Sequence, residues 1–422
     1  MEYKKITLPN GLRMLLINRP HTLAATVLIL VEAGTEYETK NNNGLSHFIE
    51  HMTFKGTTNR PRVGQIAEEL AALGAQSNAF TSHEYTGYWA KTESHKLPKI
   101  LDIVTDLYLN PLFNAEEIEK ERGVIIEELN MYEDTPTRKV QDLFTSLLYG
   151  DQPAGWDVGG KKEIVRKLSR NNFVDYRNKH YAPSKTIVVV SGNFDQNLVT
   201  KEIKRKFGLL KKKARAARTK TTERQSRPAL SIKFKESDQG HLVLGVRAFD
   251  LFDKRRHTLD VLADALGGGM SSRLFKKVRE EMGAAYYIHA SPDLYLDHGY
   301  LAVSAGVDHA KIDRVIAAIL EEFRRISREL VPPQELQRSK DHLIGNMILD
   351  LETSDQLASF YGAQEVLLKK ILTPDDLIGK IQGVKSGDLR SVARGLFDNK
   401  NLNLAVIGPY KDKKIFQKTL KL

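Results

Sequence analysis

The chain contains no cysteine. Disulfides, zinc–thiolate sites and a cysteine nucleophile are thereby excluded, and any transition metal has to sit on histidine and carboxylate. A thiol-free chain is in keeping with a reducing cytoplasm, the location expected here. Long hydrophobic runs are also lacking. The longest, TLAATVLILVEAG from Thr22 to Gly34, covers about a dozen residues and includes a charge, against the ~20 that a bilayer-spanning helix needs. The opening stretch MEYKKITLPNGLRMLLINRP has neither the apolar core of a signal peptide nor an Arg/Ser-rich amphipathic presequence. No membrane span is expected. Acidic residues are in the minority, 53 against 64 Lys and Arg, for a formal charge of +11. Much of the excess is Lys on helical patterns, where a solvated face explains it better than nucleic acid does.

What is there begins with length. At 422 residues the chain exceeds one ordinary core, so two or more domains are expected. The most linker-like stretch, GLLKKKARAARTKTTERQSRP from Gly208 to Pro228, is basic, poor in large apolar residues and ends in proline. It divides the chain into a domain at 1–210, a linker at 211–228 and a domain at 229–422. The halves read as diverged copies. Leu97–Asn130 and Lys311–Asn346 each spell an amphipathic helix, a proline-bearing break and a second helix opening near an E-[IL] pair. Setting Glu117 on Glu335 gives an offset of 218, at which Glu128 faces Asn346, Glu121 faces Ser339, His47 faces Ala265 and His51 faces Gly269. Only the first copy carries the ionisable cluster. Strand patterns such as ATVLILVEAG and TIVVVSGNF in the first half, and HLVLGVRAF and GYLAVSAGV in the second, mix with helices without strict alternation. The fold class expected is α+β, each domain a mainly antiparallel sheet covered by helices.

The chemistry concentrates in LSHFIEHMTF, Leu45 to Phe54. Apolar residues at 45, 48, 49 and 52 predict a helix, and asparagines just upstream offer caps. At ~100° per residue, Glu50 lies ~300° and His51 ~400° round from His47, so all three share an arc of ~100°. Two imidazoles can therefore bind one ion with a carboxylate beside it, the inverted zinc motif H-x-x-E-H. Neutral imidazoles leave a coordination position for water, and Glu50 is the candidate general base. With 12 His in 422 residues, chance matches are expected on the order of a few hundredths of a time. A third ligand is then required. EKERGVIIEELNMYED supplies Glu121, Glu127 and Glu128, and spacing alone leaves the three open. The run Asn78-Ala79-Phe80-Thr81 pairs small residues with one aromatic near an edge-strand signal, where an extended peptide could add as a strand. GGGMSS at Gly267–Ser272 lacks the spacing and lysine of a phosphate loop and reads as a turn between helices.

HFIEHMTFKGT, followed 77 positions after His51 by the Glu of GVIIEELNMYEDTP, resembles the pitrilysin/insulinase superfamily of zinc peptidases, in its processing-peptidase-like branch. NAFTSHEYTGYWAKT, YRNKHYAPSKTIVVVSGNFD and ALGGGMSSRLFKKVREEMGAAYYI carry the resemblance along the rest of the chain. It implies that His47, His51 and Glu128 are ligands of one Zn2+ per chain, with Glu50 the catalytic base and Glu121 supporting the ligands from behind. It further implies that Arg279 and Tyr286 act on the substrate backbone and the developing oxyanion, and that Asn78–Thr81 bind substrate. The activity implied is endopeptidase cleavage of unfolded or short extended peptides. The two domains would face each other around a cavity, in a homodimer, since this chain carries both the metal motif and the Arg/Tyr pair. Two other functions compete: a non-catalytic scaffold subunit of the same superfamily, and a basic nucleic-acid-binding protein dependent on Lys211–Arg218.

Overall fold

In the computed structural model, which describes residues 2–213 and 216–422, eleven strands form two sheets. The first contains β1 (Lys4–Thr7), β2 (Arg13–Asn18), β3 (Ala24–Val31), β4 (Gln76–Thr81), β5 (Thr86–Glu93) and β6 (Thr186–Gly192), in the spatial order β1-β2-β6-β3-β5-β4. The second contains β7 (Ala229–Phe234), β8 (Gly240–Ala248), β9 (Ala285–Leu294), β10 (Gly299–Val307) and β11 (Leu402–Gly408), in the order β7-β11-β8-β10-β9. Without β1, the two orders are the same. In each sheet one pair is parallel, β2 with β6 and β7 with β11, and the other pairs are antiparallel. The repeat read from the helices is thus a repeat of topology, and the α+β class with mainly antiparallel sheets holds.

The helices named below are α1 (Leu45–Thr53), α2 (Gln65–Ala72), α3 (Leu97–Leu109), α4 (Ala115–Asp134) and α5 (Pro136–Tyr149). Central strands such as β3 and β6 are apolar without alternation, which is the pattern of a sheet buried on both faces. On one face of the first sheet, Met14, Leu16, Val188 and Val190 join Phe48 of α1 and Ile100 and Val104 of α3 in one core. The opposite face is covered from an unexpected part of the chain. Helix Ser354–Leu367 packs on β2, β3 and β6. Its Gly362 comes so close that a Cβ there would lie 2.8 Å from Leu30 Cδ1. Thr26 and Ser354 share a hydroxyl hydrogen bond of 2.8 Å, and the buried Glu365 accepts from Lys5 (2.8 Å) and Arg13 (3.2 Å). The second sheet is treated alike. Val140, Phe144 and Leu148 of α5 cluster with Val243, Tyr300 and Ala405.

The division into contiguous domains at 1–210 and 229–422 is accordingly corrected. One compact unit comprises 1–130, 156–219 and 349–373, and the other comprises 131–155, 220–348 and 374–422. Each half of the sequence contributes one helix to the other half's sheet, because a sheet apolar on both faces needs a cover on each. The described residues of the expected linker are irregular chain, and some of them are tied to the first unit. Arg218 pairs with the buried Glu36, and the Lys185 ammonium donates to the Ala216 carbonyl at 2.7 Å. Residues 214 and 215, part of that stretch, lie outside the described residues. GGGMSS forms a turn between helix Arg256–Gly267 and the π-helical segment Phe275–Glu281, as expected. No helix among the described residues is long and apolar enough to cross a membrane.

Candidate metal centre

Helix α1 forms for the reason its pattern suggests. Leu45, Phe48, Ile49 and Met52 recur at helical spacing and are all buried, so the opposite side of the helix carries His47, Glu50 and His51. Its start differs from expectation. The residue before the first turn is Gly44 in the left-handed region at φ +91°, and no asparagine caps the helix. The Asn43 amide instead donates to Glu38 and to the Asp157 carbonyl, both at 3.1 Å. Glu38, six residues before Gly44, accepts from the N–H groups of Gly44 (2.8 Å) and Ser46 (2.7 Å). Burial pushes the Glu38 carboxyl up to about 7, although the hydrogen bonds from Ser46, Gly44 and Asn43 favour its charged form. No local spacing rule points to this residue.

Helix α4 brings the third donor. Its buried residues Ile118, Glu121, Arg122, Ile125 and Leu129 define the inward side. Glu121 and Glu128, seven apart, lie on that side or beside it, while Glu127 is exposed and accepts from Asn130 at 3.2 Å. The geometry therefore separates the three glutamates that spacing left open. His47 Nε2 and His51 Nε2 are 3.3 Å apart, and Glu128 Oε2 lies 3.6 Å from the first and 3.4 Å from the second. A tetrahedral ion with bonds of about 2.0–2.1 Å has ligand atoms about 3.3–3.4 Å apart. The three atoms thus outline one face of such a tetrahedron and leave a fourth direction for water. With Nε2 of each ring unprotonated, all three atoms are electron-pair donors, and a cation between them would relieve their mutual repulsion. Burial opposes the charged form of His51, yet Glu121, Glu128 and Glu50 together raise its pKa to about 9.

Glu121 sits behind His51. Its Oε1 is 3.0 Å from Nδ1, and its Oε2 receives the Lys55 ammonium at 2.5 Å. A carboxylate on Nδ1 fixes the tautomer that aims Nε2 at the metal position. Burial raises Glu121, but hydrogen bonds from His51 and Lys55 prevail and hold it below the usual carboxylate range. Glu50 does not join the three donors. Its Oε2 accepts from the Thr81 hydroxyl at 2.6 Å, and burial raises its pKa. Thr81 ends β4, the last strand of its sheet, which pairs with β5 on one side and with no strand on the other among the described residues. Ala79 is buried beneath this edge, Phe80 is half-buried over Gly87, and Asn78 is exposed.

In the other unit, Arg279 lies on the π-helical segment and Tyr286 on β9, where it is 73 % exposed. The guanidinium stands 5.8 Å from the centre of the Tyr286 ring.

A mixed α+β fold repeated twice, with an H-x-x-E-H helix meeting a distant glutamate, defines a class of metallopeptidases, and comparison with known proteins agrees. Two family descriptions match: "Insulinase (Peptidase family M16)" over residues 13–161 and "Peptidase M16 inactive domain" over 167–343. An uncharacterized zinc protease of Bacillus subtilis, YmxG, is 33% identical over 96% of this chain and 98% of its own length. Another, of Streptomyces coelicolor, is 34% identical over 97% of this chain and 90% of its own. The chain belongs to the insulinase (M16) family of peptidases. Among solved structures, a Helicobacter pylori protease superposes with a TM-score of 0.91 at 22% identity, covering 97% of this chain and 99% of that one. A Pseudomonas fluorescens structure described as a peptidase M16 inactive domain gives 0.89 at 16%, covering 98% and 100%. At those identities the likeness is one of fold.

Proposed function

We propose that this chain is a zinc-dependent endopeptidase that cleaves unfolded or short extended peptides. The observation that carries the reading is the tetrahedral face made by His47 Nε2, His51 Nε2 and Glu128 Oε2, with Glu50 beside it and tied to an edge strand. One zinc ion per chain would be held by those three residues. When bound, zinc acts as a Lewis acid that acidifies water and polarises a carbonyl. Glu50 takes the proton of the attacking water and passes it to the leaving amine. Its raised pKa suits a group that must carry that proton between steps. Thr81 holds one Glu50 oxygen in place, leaving the other for proton transfer. The open edge of β4 binds the substrate main chain by strand addition across Asn78–Thr81. A folded protein exposes few free strand edges, so unfolded and short peptides are the substrates. Arg279 and Tyr286 act on the substrate backbone, and the active form is a homodimer.

The test is Glu50→Gln in the zinc-loaded protein, with metal content and peptide-library cleavage measured together. We expect zinc content to be unchanged and the cleavage rate to fall by about 10²–10⁴-fold. Cleavage at the wild-type rate would reject the mechanism. Loss of cleavage on chelation and its return with zinc would support the metal requirement.

A further inference from the structure

The helix bearing the histidines begins on a buried acid from outside it. Glu38 is 2 % exposed. Its Oε2 accepts from the Gly44 N–H (2.8 Å) and the Asn43 amide (3.1 Å), and its Oε1 from the Ser46 N–H (2.7 Å). The first N–H groups of a helix have no partner within the helix. Ordinarily the side chain just before the first turn caps them. Here that position has no room for a side chain. A Cβ on Gly44 would lie 2.6 Å from the Gly159 carbonyl oxygen, and one on Gly160 would lie 2.5 Å from that of Asn43. On another side, the Ser46 hydroxyl donates to Tyr176 at 2.8 Å, and the Tyr176 hydroxyl donates to the Gly34 carbonyl at 3.1 Å. The start of α1 is thus held by a carboxylate, by a loop in backbone contact and by a phenol. The residue after Ser46 is His47.

We propose that Glu38 is a positioning residue for the metal centre: its two oxygens set the rotation and axial position of α1, so that His47 and His51 meet Glu128 at one point. The inference rests on the zinc-peptidase reading. The ligands come from two separate helices, and a metal site tolerates errors of only about 0.2 Å in its bond lengths. A cap that served stability alone would be indifferent to that accuracy. An amide cannot take over the task. With N–H donors facing both carboxylate oxygens, the –NH₂ end of glutamine would confront a donor with a donor.

The experiment is Glu38→Gln in the full chain, with zinc affinity read by competition against a chromophoric chelator and folding checked by circular dichroism and thermal melting. Zinc affinity is expected to fall about 10- to 100-fold in a folded protein, the size of effect seen when groups that orient metal ligands are removed. Glu38→Asp, which keeps both oxygens, recovers part of that loss, and kcat measured at saturating zinc falls more than KM rises. A folded Glu38→Gln protein that binds zinc like the wild type overturns the inference and leaves the peptidase reading standing. If Glu38→Gln does not fold, Asn43→Ala removes one of the three donors and keeps the acid. Weaker zinc binding then supports the inference, and wild-type binding overturns it. Because the competition assay does not require turnover, an active Glu50→Gln enzyme would sink the peptidase mechanism without touching this result. A wild-type chain that binds no zinc would sink both.

Discussion

The two units run the same strand order, yet they use the same places in it for opposite ends. In the first, α4 presents Glu128 to two imidazoles, and three electron-pair donors crowd within 3.6 Å of one another. In the second, the matching helix Pro333–Asp350 presents Asn346 at the equivalent position. Its amide donates to His342 Nε2 at 3.1 Å, and His342 Nδ1 meets Asp264 Oδ1 at 2.6 Å. Both nitrogens of that ring are thus satisfied by the protein itself. A polar cluster whose donors and acceptors match is a piece of structure; one whose acceptors face each other is a place for a cation. The difference is one of matched valence: both units bring histidine and acid together on helices, and in only one of these two clusters does each ring nitrogen have a matched protein partner.

The covers of the two sheets differ in the same spirit. Helix α5 is anchored by Val140, Phe144 and Leu148 and by a neutral hydrogen bond from the Gln141 amide to the Ser304 hydroxyl at 2.8 Å, whereas helix Ser354–Leu367 is anchored by a charge, the buried Glu365 between Lys5 and Arg13. Glu365→Gln should break that contrast most strongly. The buried Arg13 guanidinium keeps Glu32 at 3.0 Å but loses its charge pair with Glu365, as does Lys5, and we expect a loss of about 3 kcal/mol in urea unfolding.

A comparable effect comes from His180, buried against Tyr176 and Tyr37 in the first unit. Burial, followed by the charges of Lys185 and Lys179, lowers its pKa from 6.5 to about 4. The unfolded chain therefore binds a proton more readily than the folded one between those values. Stability from this group is present above pH 6.5 and is lost as pH falls to about 4, to the extent of about 3 kcal/mol. Urea unfolding of wild type and His180→Phe at the two pH values checks this: the gap between them should change in that direction as pH falls.

Glu121→Gln sharpens the account of the metal centre, since it alters the group behind His51 without removing a ligand. Competition with a chelator should show zinc bound about 10- to 100-fold more weakly. The smallest expected effect is none. Asn346→Glu restores a carboxylate in the second unit, but Ala265 and Gly269 stand where the imidazoles would be needed, and His342 stays engaged with Asp264. Zinc stoichiometry measured by atomic absorption should remain that of the wild type; a second equivalent would break the comparison.

Much of this was legible in the residues. The apolar runs of β2, β3, β6, β8, β10 and β11 announced their strands, and His47, Glu50 and His51 announced their shared helical face. Glu128 was harder, because a seven-residue spacing relates it to Glu121 but does not say which helix face turns inward. That depended on Ile118, Ile125 and Leu129 finding a core. The exchange of α5 and helix Ser354–Leu367 was not legible. Periodicity shows that a helix has an apolar side, and it does not show against which sheet that side will lie. Glu38 was missed for a related reason: its contacts reach forward across a turn to a helix that lacks an ordinary cap, so no short motif encodes them.

Anomalous diffraction at the zinc edge from zinc-loaded crystals addresses the ligand set most directly. The account predicts one strong peak per chain, about 2.0–2.2 Å from His47 Nε2, His51 Nε2 and a Glu128 oxygen, with Glu50 beside it and not bound. A peak elsewhere, or a Glu128 side chain turned away with no other group in its place, would contradict it.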